Sequence, residues 1–233
     1  MPRKESIRGM FDSIAPTYDR LNHLLSLGVD RLWRRRAIRE IVDGSPQRIL
    51  DLACGTGDFA IEEALAAGQG SRITGADISE GMMELVMRKA ARAGVHDRIT
   101  LRQADAEALP FADGSFHRVS CAFGVRNFEH REKALQECLR VLAPGGRLVV
   151  LELSIPENRF VSALYKLYFV HILPLIGGVV SGDRKAYRYL ASSVQAFPRP
   201  ARFCAMLSEA GFAKVRSRSL SFGICQMYIA DKY

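Results

Sequence analysis

Apolar residues along this 233-residue chain change their spacing several times, and each change marks an element. Short continuous apolar runs, the pattern of strands buried on both faces, predict strands over 48–53, 72–77, 98–103, 116–122 and 147–153. Between them the apolar positions recur at helical spacing, predicting helices over about 57–67, from Ser79 to about 93, and over 130–142. Ser79 is a side-chain N-cap candidate, and Ala143-Pro144-Gly145-Gly146 reads as a turn that ends the third helix. Strand and helix alternate. That order predicts a doubly wound α/β sheet.

The flanks do not follow this alternation. Residues 1–45 read as helical: Met10-Phe11 and Ile14 share a face, Pro16 interrupts, and Asp30 is placed to cap a second helix through Trp33 and Ile38. A segment in this position is expected to lie as a lid over the ligand edge of the sheet, with Trp33 as a core anchor. Residues 156–200 are a helical insert. Phe160 to Val180 is strongly apolar but holds Lys166, His171 and Pro174, whereas a membrane span needs about 20 apolar residues in a row. A cover for an apolar substrate, or a segment resting in a membrane interface, is expected instead. A helix over 202–210 ends at Gly211, and 214–222 and 225–230 form an antiparallel hairpin about Gly223. The four parts, 1–45, 48–155, 156–200 and 201–233, are expected to make one domain.

Charge sharpens this division. Of the net +8, residues 1–48 carry 10 Lys and Arg against 6 Asp and Glu, residues 49–155 carry 12 against 15, and residues 156–233 carry 11 against 4. The basic flanks suit anionic lipid or nucleic acid. The five cysteines are odd in number and lack C-x-x-C spacing, which predicts neither disulfides nor a metal site and fits a reducing cytoplasm. No signal peptide is expected, since no apolar h-region follows Met1-Pro2-Arg3-Lys4-Glu5.

Chemistry concentrates after the first strand, in Leu50-Asp51-Leu52-Ala53-Cys54-Gly55-Thr56-Gly57-Asp58. Gly55, Gly57 and Ala60 satisfy a loose dinucleotide fingerprint. Asp51, however, leads into the glycines and would repel a pyrophosphate; it suits a cationic amino-acid moiety. Asp77 ends the second strand where a carboxylate would bind ribose hydroxyls. Asp105 and Ala106 follow the third, at the carboxyl edge where open sheets bind ligands. The stretch resembles motif I of class I S-adenosylmethionine-dependent methyltransferases, with Asp51, Gly55, Thr56, Gly57, Asp77, Asp105 and Ala106 as cofactor-binding candidates. After the fourth strand come Arg126 and Asn127. Arg126 is a permanent cation, fit to stabilise an oxyanion or orient a water; a structural arginine paired with an acid is the alternative.

Tyr18-Asp19-Arg20-Leu21-Asn22-His23-Leu24-Leu25-Ser26 and Arg140-Val141-Leu142-Ala143-Pro144-Gly145-Gly146-Arg147 through Glu152-Leu153-Ser154 resemble the two signatures of the menaquinone/ubiquinone biosynthesis C-methyltransferases. Phe123–Asn127 and Ile172–Gly177 match as well, so the likeness runs from about residue 8 to the C-terminus. Asp30, Ala143 and Ala122 depart from residues common in the family. The resemblance implies a class I methyltransferase fold: a Rossmann-like, seven-stranded, mostly parallel sheet with an antiparallel C-terminal hairpin, N-terminal helices and a helical insert. It implies metal-free methyl transfer from S-adenosylmethionine to a ring carbon of a prenylated hydroquinone. Demethylmenaquinol is preferred over the demethylated benzoquinol of ubiquinone synthesis. Arg126 and Asn127 would hold the developing phenolate or a water; Asp58, His23 and Tyr18 are candidates for the proton acceptor or its relay. A cytoplasmic enzyme, peripheral to the inner face of the cell membrane and not bound to nucleic acid, is expected; homo-oligomerisation stays open. An RNA methyltransferase and a non-catalytic binding protein on the same fold are the rivals from other classes. The first should show an Asn/Asp-Pro-Pro-Tyr-like tetrad after strand four or a nucleic-acid-reading appendage, and the second could lose the cofactor acids.

Overall fold

A computed structural model describes residues 4–167 and 184–233. Seven strands form one sheet: β1 (Arg48–Leu52), β2 (Arg72–Asp77), β3 (Ile99–Gln103), β4 (Phe116–Ala122), β5 (Leu142–Leu153), β6 (Ala213–Leu220) and β7 (Cys225–Asp231). Their order is β3-β2-β1-β4-β5-β7-β6. The pairs from β3 to β5 are parallel, while β7 runs antiparallel to both β5 and β6. Eight helices are present among the described residues: α1 (Lys4–Leu25), α2 (Val29–Ile41), α3 (Asp58–Ala66), α4 (Glu80–Arg92), α5 (Arg131–Val141), α6 (Arg159–Leu167), α7 (Arg184–Ala196) and α8 (Pro200–Glu209).

Alternation along the strands sends side chains to two cores. On one face Ile49, Ile73, Val149, Leu151 and Ile229 meet Trp33, Ile41, Phe59 and Val86 from α2, α3 and α4. On the other, Leu50, Leu52, Val119, Val150 and Tyr228 meet Leu135 and Cys138 of α5 and Phe203 and Leu207 of α8. Both faces are covered, which is why the parallel strands read as unbroken apolar runs.

Strand order reverses at β1–β4, with β2 and β3 to one side and β5 onward to the other. In such sheets ligands bind outside the carboxyl ends of the strands at that reversal. Gly55 and Gly57 turn the chain there in the left-handed region, at φ 53° and 83°. A Cβ on Gly57 would lie 2.5 Å from Val86 Cγ1, so this glycine lets α3 approach α4.

The predicted elements occur within a few residues of their expected limits, with informative differences. Pro16 lies inside an unbroken α1. Asp30 does not cap α2: Gly28 holds the cap position with φ 75°, and Asp30 is bonded instead to His23 and Ser26. Ala143–Gly146 is taken into β5, whose pairing with β4 slips between Phe116 and Arg118. Most of the apolar run over 160–180, including Ile172–Gly177, lies outside the described residues.

Candidate active site

The loops after β1, β2, β3 and β4 open together onto a cavity of about 740 Å³, counting its open mouth. Gly55, Asp77, Asp105, Ala106 and Asn127 line it, together with Phe11 and Tyr18 of α1. Tyr18 and Gly55 also border a second space of about 460 Å³, lined by Asp19, Asp51, Thr56 and Asp58. Most sequence candidates therefore meet at one edge of the sheet. Gly57, His23 and Arg126 line neither space.

Asp51 has the most demanding surroundings. It is 1% exposed, and neither carboxyl oxygen has a hydrogen-bond partner among the described residues. Burial pushes its pKa up to about 8, Asp77 adds to the rise, and the Ala60 N–H at the start of α3 offsets part of it. An orphaned buried carboxyl is costly unless a donor or a cation meets it. Asp77 is better supported: its oxygens accept from Gly55 N and Ser79 N, both at 2.8 Å. Burial still raises it.

Helix α1 is tied to three of the four loops. Asp12 Oδ1 accepts from Ser79 Oγ and from Gly81 N. Asp19 accepts from the Thr56 hydroxyl and pairs with Lys89, which also pairs with Asp58. Lys4 Nζ pairs with Asp105 at 2.6 Å and Glu107 at 2.8 Å. Asp105, a cofactor-binding candidate, is thus met at Oδ2 by a cation.

Asp58 and His23 form a chain of charge. His23 Nδ1 lies 2.8 Å from Asp30 and its Nε2 3.3 Å from Asp58. Arg34 pairs with Asp30 at 2.9 Å and Asp58 at 3.4 Å. Burial opposes ionisation of Asp30, but Ser26, Arg34 and His23 together hold it below its ordinary value.

Arg126 is buried and pairs with the fully buried Glu152, Nη1 to Oε1 at 2.7 Å; its Nη1 also donates to the Phe123 carbonyl. Glu152 further accepts from Arg126 N and Leu153 N, each at 2.9 Å. Burial alone would lower the Arg126 pKa, yet Glu152 beside it keeps it raised, with the Tyr18 and Tyr189 hydroxyls contributing. Beside Arg126, Asn127 faces the cavity and its Oδ1 accepts from Tyr189 OH at 3.0 Å. Burial raises the Tyr189 pKa, against the pull of Arg126 and Arg131.

Sequence reasoning did not single out Tyr189, Lys89, Asp12 or Lys4. Glu152 and Asp19 stood inside the resembling motifs, a signal that could have found them. Cys54 is a buried packing residue whose thiol is pushed up by burial.

The ubiE/COQ5 methyltransferase family model matches residues 2–232 of the chain. The chain belongs to that family. Among its relatives is a demethylmenaquinone methyltransferase of Thermus thermophilus, 49% identical, the alignment covering 96% of this chain and all of the relative. Another is a ubiquinone/menaquinone biosynthesis C-methyltransferase of Geobacter sulfurreducens, 46% identical over 98% of this chain and 89% of the relative. In fold the methyltransferase resembles a SAM-dependent methyltransferase from Thermotoga maritima, with TM-score 0.67, 18% identity, and 97% and 99% of the two chains covered.

S-Adenosylmethionine carries an ammonium, a ribose and an adenine, and the residues present fit each of them. The orphaned Asp51 lines the acidic space, and Asp77, Asp105 and Ala106 line the larger cavity.

Proposed function

We propose that this methyltransferase transfers the methyl group of S-adenosylmethionine to a ring carbon of demethylmenaquinol, giving menaquinol. The observation that carries the reading is the likeness, over nearly the full length of both chains, to relatives named for that reaction. The benzoquinol of ubiquinone synthesis is the second reading, favoured by relatives whose name includes both quinones.

Asp51 would meet the donor's ammonium, Asp77 the ribose hydroxyls, and Asp105 with the Ala106 backbone the adenine. Gly55, Thr56 and Gly57 shape the turn between these positions. Bound there, the donor supplies an electrophilic methyl group on a sulfonium and departs as a neutral thioether, so no metal is needed. Holding the acceptor carbon in line with that methyl supplies much of the acceleration.

The quinol hydroxyl, a phenol of pKa about 10, must lose its proton for electron density to reach the ring carbon, and after methylation that carbon sheds its hydrogen as a proton while the oxygen regains one, giving menaquinol. Asn127 is the residue to bind the developing phenolate. With its Oδ1 engaged by Tyr189, its amide N–H groups are left to face the quinol oxygen as donors. Arg126, held by Glu152, adds positive potential from behind the cavity wall. That is a positioning role, in keeping with its absence from the lining. Tyr18 lines both spaces and is the candidate best placed to take the hydroxyl proton in its phenolate form or to hold a water that does. Asp58 and His23 stand one layer further out and suit a relay.

The prenyl tail requires an apolar surface outside the polar site, and contact with a membrane follows from its solubility. No helix among the described residues is long and apolar enough to cross a membrane. An enzyme of the cytoplasm that works at the inner membrane face fits both points.

The test is transfer of labelled methyl from S-adenosylmethionine to demethylmenaquinol and to the demethylated benzoquinol, side by side in liposomes. Product from the naphthoquinol alone supports the first reading, and product from both supports an enzyme serving both pathways. Transfer to neither, with donor binding intact, overturns the quinol reading.

A further inference from the structure

Large apolar side chains are exposed in two groups. Leu32 on α2, Leu65 on α3, Met87 on α4 and Tyr233 at the C-terminus each belong to a different part of the chain. Leu27, Phe160, Leu167 and Phe222 are 85%, 74%, 54% and 84% exposed, and all belong to segments at the carboxyl edge of the sheet, where the cavity opens. Phe222 is in the turn joining β6 to β7, and β7 begins with Cys225 paired to Leu153, the last residue of β5. Phe160 and Leu167 are seven residues apart on α6, which follows β5 directly, so they share one helix face. Leu27 is in the turn between α1 and α2.

The fold brings these segments together. Trp33 of α2 donates through Nε1 to Ser221 Oγ at 2.9 Å, fixing the β6–β7 turn against α2. A Cβ built on Gly223 would lie 3.5 Å from Pro156 Cα, so the same turn touches the segment that leads into α6. Ile224 packs on the small cluster containing Tyr165 of α6.

Backbone conformation gives a second observation. Leu27 and Phe222 have φ of 52° and 59°, in a region bulky non-glycine residues seldom occupy. In both cases the left-handed residue carries a large apolar side chain into solvent. Arg31 and Arg159 are exposed next to these turns, and neither side chain has an ion-pair partner among the described residues.

We infer that Leu27, Phe222 and the Phe160–Leu167 face of α6 form a docking surface for an anionic lipid bilayer, with Arg31 and Arg159 meeting the headgroups. Apolar side chains that insert at the acyl boundary, beside cations that attract the anionic surface, are what interfacial binding requires. The inference rests on the quinol reading in one respect: docking here would set the mouth of the cavity against the phase that dissolves a prenylated substrate.

The experiment is flotation of the full chain, without substrate, with phosphatidylglycerol-containing vesicles and with pure phosphatidylcholine vesicles. Wild type is expected to float with the anionic vesicles, less so as salt rises. The double variant Phe160→Ser/Phe222→Ser is expected to bind about ten-fold more weakly or worse, and Arg31→Glu to lose the preference for anionic lipid. Leu65→Ser, an exposed apolar change away from the surface, is the control and should float like wild type. Failure of wild type to float, or equal flotation of the double variant, overturns the proposal. So does a vesicle-free wild type that sediments as a dimer which the double variant dissolves, because a second copy would then be the occupant.

Vesicle binding is separable from the chemistry. A short-tailed demethylated naphthoquinol in vesicle-free solution reports methyl transfer alone, and the double variant should turn it over as wild type does. Loss of that turnover would assign these residues to the reaction rather than to docking. If neither protein methylates any quinol while flotation still depends on Phe160 and Phe222, the surface stands and the substrate assignment falls.

Discussion

Tyr189 donates its phenolic hydrogen to Asn127 Oδ1 at 3.0 Å, across 62 positions of sequence. The bond joins α7, in the insert, to the loop after β4. It also fixes which end of the Asn127 amide is spent and which remains for a ligand.

Tyr189→Phe should therefore lower kcat roughly three- to ten-fold, the range of one hydrogen bond of about 1 kcal/mol. The dissociation constant for S-adenosylmethionine should not change. Steady-state kinetics and calorimetry on the same preparation check both parts, and a change confined to donor binding would remove Tyr189 from the acceptor side.

Asp51 makes the site sensitive to pH. A carboxyl whose pKa is about 8 when folded and about 4 when unfolded keeps a proton the unfolded chain has released. The stability of the ligand-free protein should then fall as pH rises from about 4 to 8 and level off above. Donor affinity moves the other way, because a cationic donor favours ionised Asp51. Calorimetric affinity should rise from about pH 6 to about pH 8, by up to ten-fold per pH unit, with proton release into the buffer. Asp51→Asn should bind weakly at every pH, without that slope.

The Arg126–Glu152 pair should matter most when it is broken on one side. Glu152→Ala leaves a buried guanidinium without its counter-charge and should cost about 3–5 kcal/mol, read as a lower urea midpoint. Arg126→Met/Glu152→Leu removes both charges and should recover much of that loss while leaving turnover low. Such a split separates the fold's need for the pair from the reaction's need for the cation.

Gly57→Ala should destabilise by about 2–4 kcal/mol, from its left-handed backbone and from overpacking against Val86. Adding Val86→Ala should return only the packing part. Denaturant unfolding of the two variants measures the division.

The sequence was most legible where local rules and tertiary structure agree. Ser79 was expected to cap a helix from its residue type and position, and its hydroxyl accepts from Met82 N. The doubly wound α/β architecture, though not the strand order, followed from alternation. Local rules failed at Pro16, which sits in an unbroken helix tied to the ligand loops through Lys4, Asp12 and Asp19. Asp30 was misplaced for a related reason: a capping side chain and a buried partner for His23 look alike in sequence. Within the site, Asp51, Asp77 and Asp105 could be singled out because they lie in the last two residues of β1, at the end of β2 and two residues after β3. Tyr189 and Lys4 could not, since no spacing links residue 189 to 127 or residue 4 to 105; only the folded chain makes them neighbours.

One helix, α1, holds the turn after β1 through Asp19, the turn after β2 through Asp12 and the turn after β3 through Lys4. Those are the turns proposed to grip the amino-acid, ribose and base portions of the donor. α1 thus reads as a logical conjunction of three separate contacts, and losing any one of them is expected to loosen the cover over the rest.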